Sequence, residues 1–241
     1  MGSRFGEAFA HLRTVVFHSV TTISFGMPAN VADMVAMESL STKLTFPPEE
    51  ADHLRQRYAE AAIILEYGSG GSTMLAASMP GKFVISVESD WAWALELQRQ
   101  IDQAVLQSPA VVWHVDIGQT GRWGRPIDDA AWQKYHRYPL SIWSEPFFRH
   151  PDLILIDGRL RPACLIAAVL RITRPVTVLF DDYVGRPAYH VVESVARPVG
   201  TIGRMAEFRL EPGTASPFVQ DLLIELCTHR TLAAQTVDYG A

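Results

Sequence analysis

The chain has 241 residues, 48% hydrophobic and 20% charged, which is enough apolar material for one buried core with an appendage. Its net charge of -5 comes from 21 basic and 26 acidic residues mixed along the sequence, which argues against nucleic acid as a partner and favours small molecules. No window approaches the roughly 18–20 apolar residues of a membrane span, and Cys164 and Cys227, which lack metal-ligand spacing, read as buried thiols of a reducing, cytoplasmic compartment.

Residues 1–44 form an arm whose only acid before Asp33 is Glu7, expected to pack on the domain or on a second subunit, as in a homodimer. One α/β domain is expected over 45–241. Pro47-Pro48-Glu49-Glu50 places prolines and acids in a helix's first turn, and Ala51, Leu54, Tyr58 and Ala61 then share one face. The run 63–75 reads as a short buried strand, a glycine turn and a helix capped by Ser72 or Thr73. Gly68 and Gly70 would let backbone N–H groups approach a nucleotide-like ligand, with Ser69 between them. Glu66, at the strand's carboxyl end, would accept from a charged or hydroxylated group. The competing account is a turn that only lets helix and strand pack closely. The next strand, 82–88, ends in Glu88 about twenty residues past the glycines, where a carboxylate would hold ribose hydroxyls.

Asp90 caps a helix in which Ala94, Leu97, Ile101 and Val105 recur at helical spacing, and Trp91 and Trp93 open it, either covering an adenine ring or packing. A third strand, 110–115, finishes at Asp116. The stretch 117–151 is too long for a simple connection and crowded with aromatics, including Trp123, Tyr135, Tyr138 and Trp143. It reads as a cover over the active site or as an insertion on the sheet's edge. Strands 152–157 and 175–180 flank a helix over 163–172 and deliver Asp157, Asp181 and Asp182 to one sheet edge. Three acids there repel unless a cation or protons intervene; alternatively they cap neighbouring turns and helices, among them one around 189–195. His190 is a candidate base, and Arg159, Arg161 and Arg186 would bind an anionic acceptor group or neutralise the acids. Segments 204–210 and 221–226 both read as strands, and without a crossover they must pair antiparallel.

The sequence Glu66-Tyr-Gly68-Ser-Gly70-Gly71, followed by Glu88, resembles the first motif of Rossmann-like S-adenosylmethionine-dependent methyltransferases, with Ser72 where a third glycine would stand. The acidic strand ends are similar to those of cation-dependent O-methyltransferases of the catechol and macrocin or novobiocin sugar types. The resemblance implies an α/β fold with a mostly parallel seven-stranded sheet, helices on both faces and a C-terminal antiparallel strand pair. It implies S-adenosylmethionine held by Glu66, Gly68, Ser69, Gly70 and Glu88, with Asp116 at the adenine amino group. It further implies Mg²⁺ on Asp157, Asp181 and Asp182, and transfer to a hydroxyl of a small-molecule acceptor. On this reading Asp157 and His190 are the catalytic candidates, and Arg159, Arg161, Arg186 and Trp123 meet the acceptor. Two other classes stay open, a nucleoside-binding protein without catalysis and an NAD(P)-dependent oxidoreductase, the latter disfavoured by Ser72 and the terminal strand pair.

Overall fold

The computed structural model describes residues 43–213 and 216–228, so the expectations for 1–42 lie outside the described residues. Helix α1 (Pro48–Glu60) starts at its prolines, with Glu49 and Glu50 in the first turn, where the helix dipole favours acids. The chain then alternates strand and helix: β1 (Ile63–Tyr67), α2 (Gly71–Ser78), β2 (Phe83–Glu88), α3 (Trp91–Gln103), β3 (Ala110–His114). After the insertion come β6 (Leu153–Ile156), α5 (Arg161–Arg171), β7 (Val176–Phe180), β8 (Gly200–Ile202), β9 (Met205–Leu210) and α6 (Pro217–Leu226). These strands form one seven-stranded sheet in the order β3-β2-β1-β6-β7-β9-β8. The first five are parallel and β9 runs antiparallel to both β7 and β8.

Parallel central strands are covered on both faces, which is why Leu153–Ile156 can be apolar without alternation. On one face Leu54 and Tyr58 of α1, Ala76 of α2 and Leu97 of α3 pack over Ile64, Val84, Val112, Leu155 and Leu179. On the other face α5 buries Cys164, Leu165 and Ala168. Both cysteines are buried free thiols. Among the described residues no helix is long and apolar enough to cross a membrane.

Two expected elements differ. Segment 221–226 belongs to a helix, not a strand. Ser216 caps α6 by accepting from Val219 N–H, Pro217 starts it, and Val219, Leu222, Leu223 and Leu226 are buried at helical spacing against α5. The antiparallel pair closing the sheet is instead β8 with β9, turned by Gly203 at φ +52°. Helix α3 ends at Gln103, leaving Val105 fully exposed rather than on its apolar face.

The insertion carries β4 (Thr120–Gly121), a 3-10 turn over Arg122–Gly124, β5 (Arg125–Pro126) paired with β4, another turn at Trp132–Lys134, helix α4 (Arg137–Leu140) and a turn at Ser141–Ser144. Its Tyr135, Tyr138 and Ile142 are buried, while Trp123 and Trp132 are exposed. The insertion thus packs on the sheet through some rings and leaves others at the surface.

Candidate active site

Between β1 and α2 the chain turns at Gly68, whose φ of +99° is left-handed backbone that glycine adopts without penalty. A Cβ on Gly68 would lie 2.8 Å from Gly158 N, and one on Gly158 would lie 2.6 Å from Gly68 N and 2.1 Å from the Tyr138 hydroxyl. The carboxyl ends of β1 and β6 therefore approach backbone to backbone. Tyr138 seals that junction from the insertion, donating to Val87 O and accepting from Arg159 N–H.

Glu66 is placed elsewhere than expected. It shares a strand face with Ile64, under α1 and α2, and is fully buried. It accepts from the Tyr58 hydroxyl at 2.5 Å, from the Thr73 hydroxyl at 2.5 Å and from Ser86. Thr73 in turn accepts from Gly70 N–H at 3.1 Å. Burial pushes the Glu66 carboxyl up, against the pull of these donors. Glu66 thus fixes the glycine turn from behind and does not line the cavity in front of it. Tyr58→Phe should remove one donor from a buried carboxylate and cost about 1–3 kcal/mol. Thermal unfolding would show this as a lowered Tm; an unchanged Tm would contradict the buttress.

In front of the turn lies a cavity of about 570 Å³, within the roughly 300–1,000 Å³ usual for small-molecule sites. One wall is Gly68–Ser72 with Glu88, which is 7% exposed. Glu88 accepts from the Ser69 hydroxyl at 2.8 Å, from Ser89 N–H at 2.7 Å and from Asp90 N–H at 2.9 Å, and burial raises its pKa in spite of these bonds. Trp93 stands over the turn, its indole N–H donating to Ser69 O at 3.0 Å, while Trp91 points to His114. The insertion closes this end. Ser89 donates to Gly124 O at 2.9 Å, and Arg122 and Trp123 line the wall, with the exposed Trp123 at φ +64°. Lys43, Thr45 and Phe46 add a strap that passes so close to Gly71 that a Cβ there would meet Lys43 O at 2.3 Å.

Asp157, Gly158 and Arg159, next to the glycine turn, also line the cavity. The Asp157 carboxyl is pushed up to about 7 by burial and by Asp181 and Asp182, with Arg161 opposing. Arg159 is pushed down to about 10 by burial and by the neighbouring Arg161 and Arg125 charges, so it stays cationic at neutral pH.

Asp157, Asp181 and Asp182 do converge, but on arginines. The four carboxylate oxygens of Asp181 and Asp182 each lie 2.8–3.1 Å from a guanidinium nitrogen of Arg204 or Arg186. Arg161 reaches Asp157 at 2.8 Å and Asp182 at 3.3 Å. Mg²⁺ needs oxygen lone pairs at about 2.0–2.1 Å in near-octahedral array. Here fixed cations already take them, and among the described residues no group of three His, Cys, Asp or Glu side chains could hold a metal. The expected metal triad is corrected accordingly.

Three further expectations are corrected by placement. Asp116 is exposed, accepts from Gly118 N–H at 2.8 Å in an Asx turn and pairs with Lys134, away from the cavity wall. His190 stacks on Tyr183 with centroids 4.7 Å apart and points its Nε2 at Tyr183 O, also away from the wall. Arg161 and Arg186 are turned to the aspartates, so of the three expected arginines only Arg159 lines the cavity, together with Arg122.

No protein-family model and no curated protein matches the chain. A methyltransferase-like protein from Silicibacter pomeroyi, solved by crystallography, is 47% identical, with a TM-score of 0.75, covering 78% of this chain and 97% of its own. The chain belongs to this methyltransferase-like family. Its seven-stranded sheet with one antiparallel end is the Rossmann-like methyltransferase fold. More distant are a methyltransferase from Geobacter sulfurreducens (11% identity, TM-score 0.47, 86% of this chain and 97% of that one) and an O-methyltransferase from Bacillus cereus solved with SAH (19%, 0.44, 83% and 80%). In this methyltransferase-like chain, Arg122 and the strap at 43–46 line the cavity without having been singled out in the sequence, because each arrives through a short segment without periodicity.

Proposed function

We propose that the protein binds S-adenosylmethionine against the Gly68–Gly70 turn and Glu88, and transfers its methyl group to an oxygen of a small anionic acceptor. One observation carries this reading: the glycine turn with Glu88, and the Asp157–Arg159 segment beside it, line one cavity. S-adenosylmethionine supplies a methyl carbon already activated by the sulfonium, so the protein's task is alignment and proton removal. Glu88, held by Ser69, Ser89 and Asp90, offers a carboxylate to a ribose diol. Trp93 and Trp123 wall the cavity and limit water. Arg159 and Arg122 would orient a carboxylate or phosphate of the acceptor. Asp157 would take the acceptor's proton, since a half-buried carboxylate with a raised pKa is a stronger base than an exposed one.

A thermal-shift panel tests the cofactor. In chelator, S-adenosylmethionine and S-adenosylhomocysteine at about a hundred times their Kd should each add about 2.7 kcal/mol. NAD and NADP should add nothing; stabilisation by these alone would point to an oxidoreductase instead. Activity, once an acceptor is found, should rise with pH through about 7 as Asp157 ionises. Stability runs the other way. Between the ordinary aspartate range and about 7 the folded state binds the extra proton, so Asp157 lowers stability as pH rises through that window. Asp157→Asn should flatten both trends, and a pH–rate profile unchanged in this variant would remove Asp157 as the base.

A further inference from the structure

The strand order β2-β1-β6-β7 separates two chemistries at the carboxyl edge of the sheet. The glycine turn and Glu88 stand at the ends of β1 and β2, so an adenosyl ligand held there leaves the ends of β6 and β7 to the acceptor. Those ends are crowded with guanidinium groups. Arg159 follows β6 and lines the cavity. Arg186 follows β7, donates to the Tyr189 hydroxyl at 3.2 Å and stands 5.5 Å from the centre of its ring. From the insertion come Arg122, which lines the cavity, and the half-buried Arg125 of β5. Burial and the nearby charges of Arg186, Arg161 and Arg122 push the Arg125 guanidinium down, and Arg125 acts in the same sense on Arg159. The buried Tyr189 phenol is a common neighbour of Arg125, Arg159 and Arg186.

Like charges repel, so a wall that gathers them is stabilised by a counter-charge in the cavity beside it. Arg161 and Arg186 already meet the aspartates, whereas Arg159 and Arg122 line the cavity. A shared charge of one sign, rather than any idle donor, marks this wall. The planar fork of a guanidinium matches the oxygens of a phosphoryl group, and two negative charges relieve the repulsion among several cations further than one does. We infer that the methyl acceptor carries a phosphate monoester, a dianion at neutral pH, met by Arg159 and Arg122, with Arg125 behind them raising the local potential. Calling that ligand the acceptor rests on the methyl-transfer reading. Arg125 is a positioning residue, because it does not itself line the cavity. Its signature is discrimination by the number of charges on the ligand, which a merely structural arginine would not alter.

The test is calorimetry at neutral pH on the full chain, with and without S-adenosylhomocysteine. The probes are phenyl phosphate, methyl phenyl phosphate, which is a monoanion of similar size, and phthalate, a dianion made of carboxylates. Phenyl phosphate should bind wild type with a Kd of about a millimolar or below, at least about tenfold more tightly than either of the others. Arg159→Gln should weaken it about tenfold or more. Arg125→Gln should cut the preference for monoester over diester about threefold or more while leaving diester affinity nearly unchanged. Arg55→Gln, on the exposed side of α1, should change neither. Equal binding of monoester and diester, a preference for phthalate, or equal losses in Arg159→Gln and Arg55→Gln would each overturn the inference. Should Arg159→Gln not fold, the wild-type preference for monoester over diester decides. S-adenosylhomocysteine bound without any such preference would sink the inference alone. Arg159-dependent binding of phenyl phosphate by a protein that ignores S-adenosylhomocysteine would overturn methyl transfer, and the acceptor role with it, and leave the phosphate subsite standing.

Discussion

Glu88→Ala is expected to weaken S-adenosylhomocysteine binding about ten- to a hundredfold, since each charge-assisted hydrogen bond to a ribose hydroxyl is worth about 1.5–3 kcal/mol. The size of the effect follows from what surrounds the carboxylate. Glu88 ends β2 at the cavity, and its oxygens also accept from Ser69, Ser89 and Asp90, so on the proposed reading its loss would both remove a ligand contact and loosen the turn. Glu88→Gln separates the two contributions, because it keeps the shape and part of the hydrogen bonding to the turn while removing the charge. Calorimetry on folded variants reads the affinities. Wild-type affinity in Glu88→Ala would take Glu88 out of the site.

Gly158→Ala is expected to be strongly damaging for a single added methyl, costing about 2–4 kcal/mol. The added Cβ would meet the Tyr138 hydroxyl at 2.1 Å, Gly68 N at 2.6 Å and Tyr67 C at 2.8 Å. A side chain can rotate away, but the two backbone contacts cannot be relieved without parting β1 from β6. Combining it with Tyr138→Phe should therefore restore only a fraction of the lost Tm. Full restoration would show that the hydroxyl alone sets the limit, and a wild-type Tm in Gly158→Ala would contradict the close approach of the two strand ends. Because Gly158 lies between Asp157 and Arg159 in the cavity wall, any protein that does fold should also bind adenosyl ligands less well.

What was legible in the sequence was local. The glycine turn and the acid about twenty residues later depend on neighbours in the chain, and the structure puts Gly68, Ser69, Gly70 and Glu88 in one wall. Glu66 belongs to the same motif but faces the opposite way, because a strand's alternation puts it with Ile64 beneath α1. Tyr58, a phenol on the otherwise apolar face of Leu54 and Ala61, was the available sign that a buried partner awaited it. Segment 221–226 fitted both periods, since Leu-Leu-Ile-Glu-Leu alternates and also fills a helix face. The Ser216-Pro217 start should have decided for a helix. The acid cluster shows the limit most sharply. Asp157, Asp181 and Asp182 were correctly brought to one edge, yet nothing in sequence spacing distinguishes Arg159, which meets the cavity, from Arg161, which turns inward to the acids. Leu160, at φ +50°, lies between the two arginines, and Arg204, more than twenty positions beyond Asp182, meets the acids as well.

The most direct measurement is a crystal structure of the full chain grown with millimolar S-adenosylhomocysteine and chelator. The account predicts the nucleoside inside the cavity, its ribose hydroxyls within about 2.6–3.2 Å of the Glu88 carboxylate, its backbone-facing side against Gly68–Gly70, and its sulfur directed toward Asp157 and Arg159. A nucleoside bound elsewhere on the protein, or a cavity that stays empty at that concentration, would contradict it.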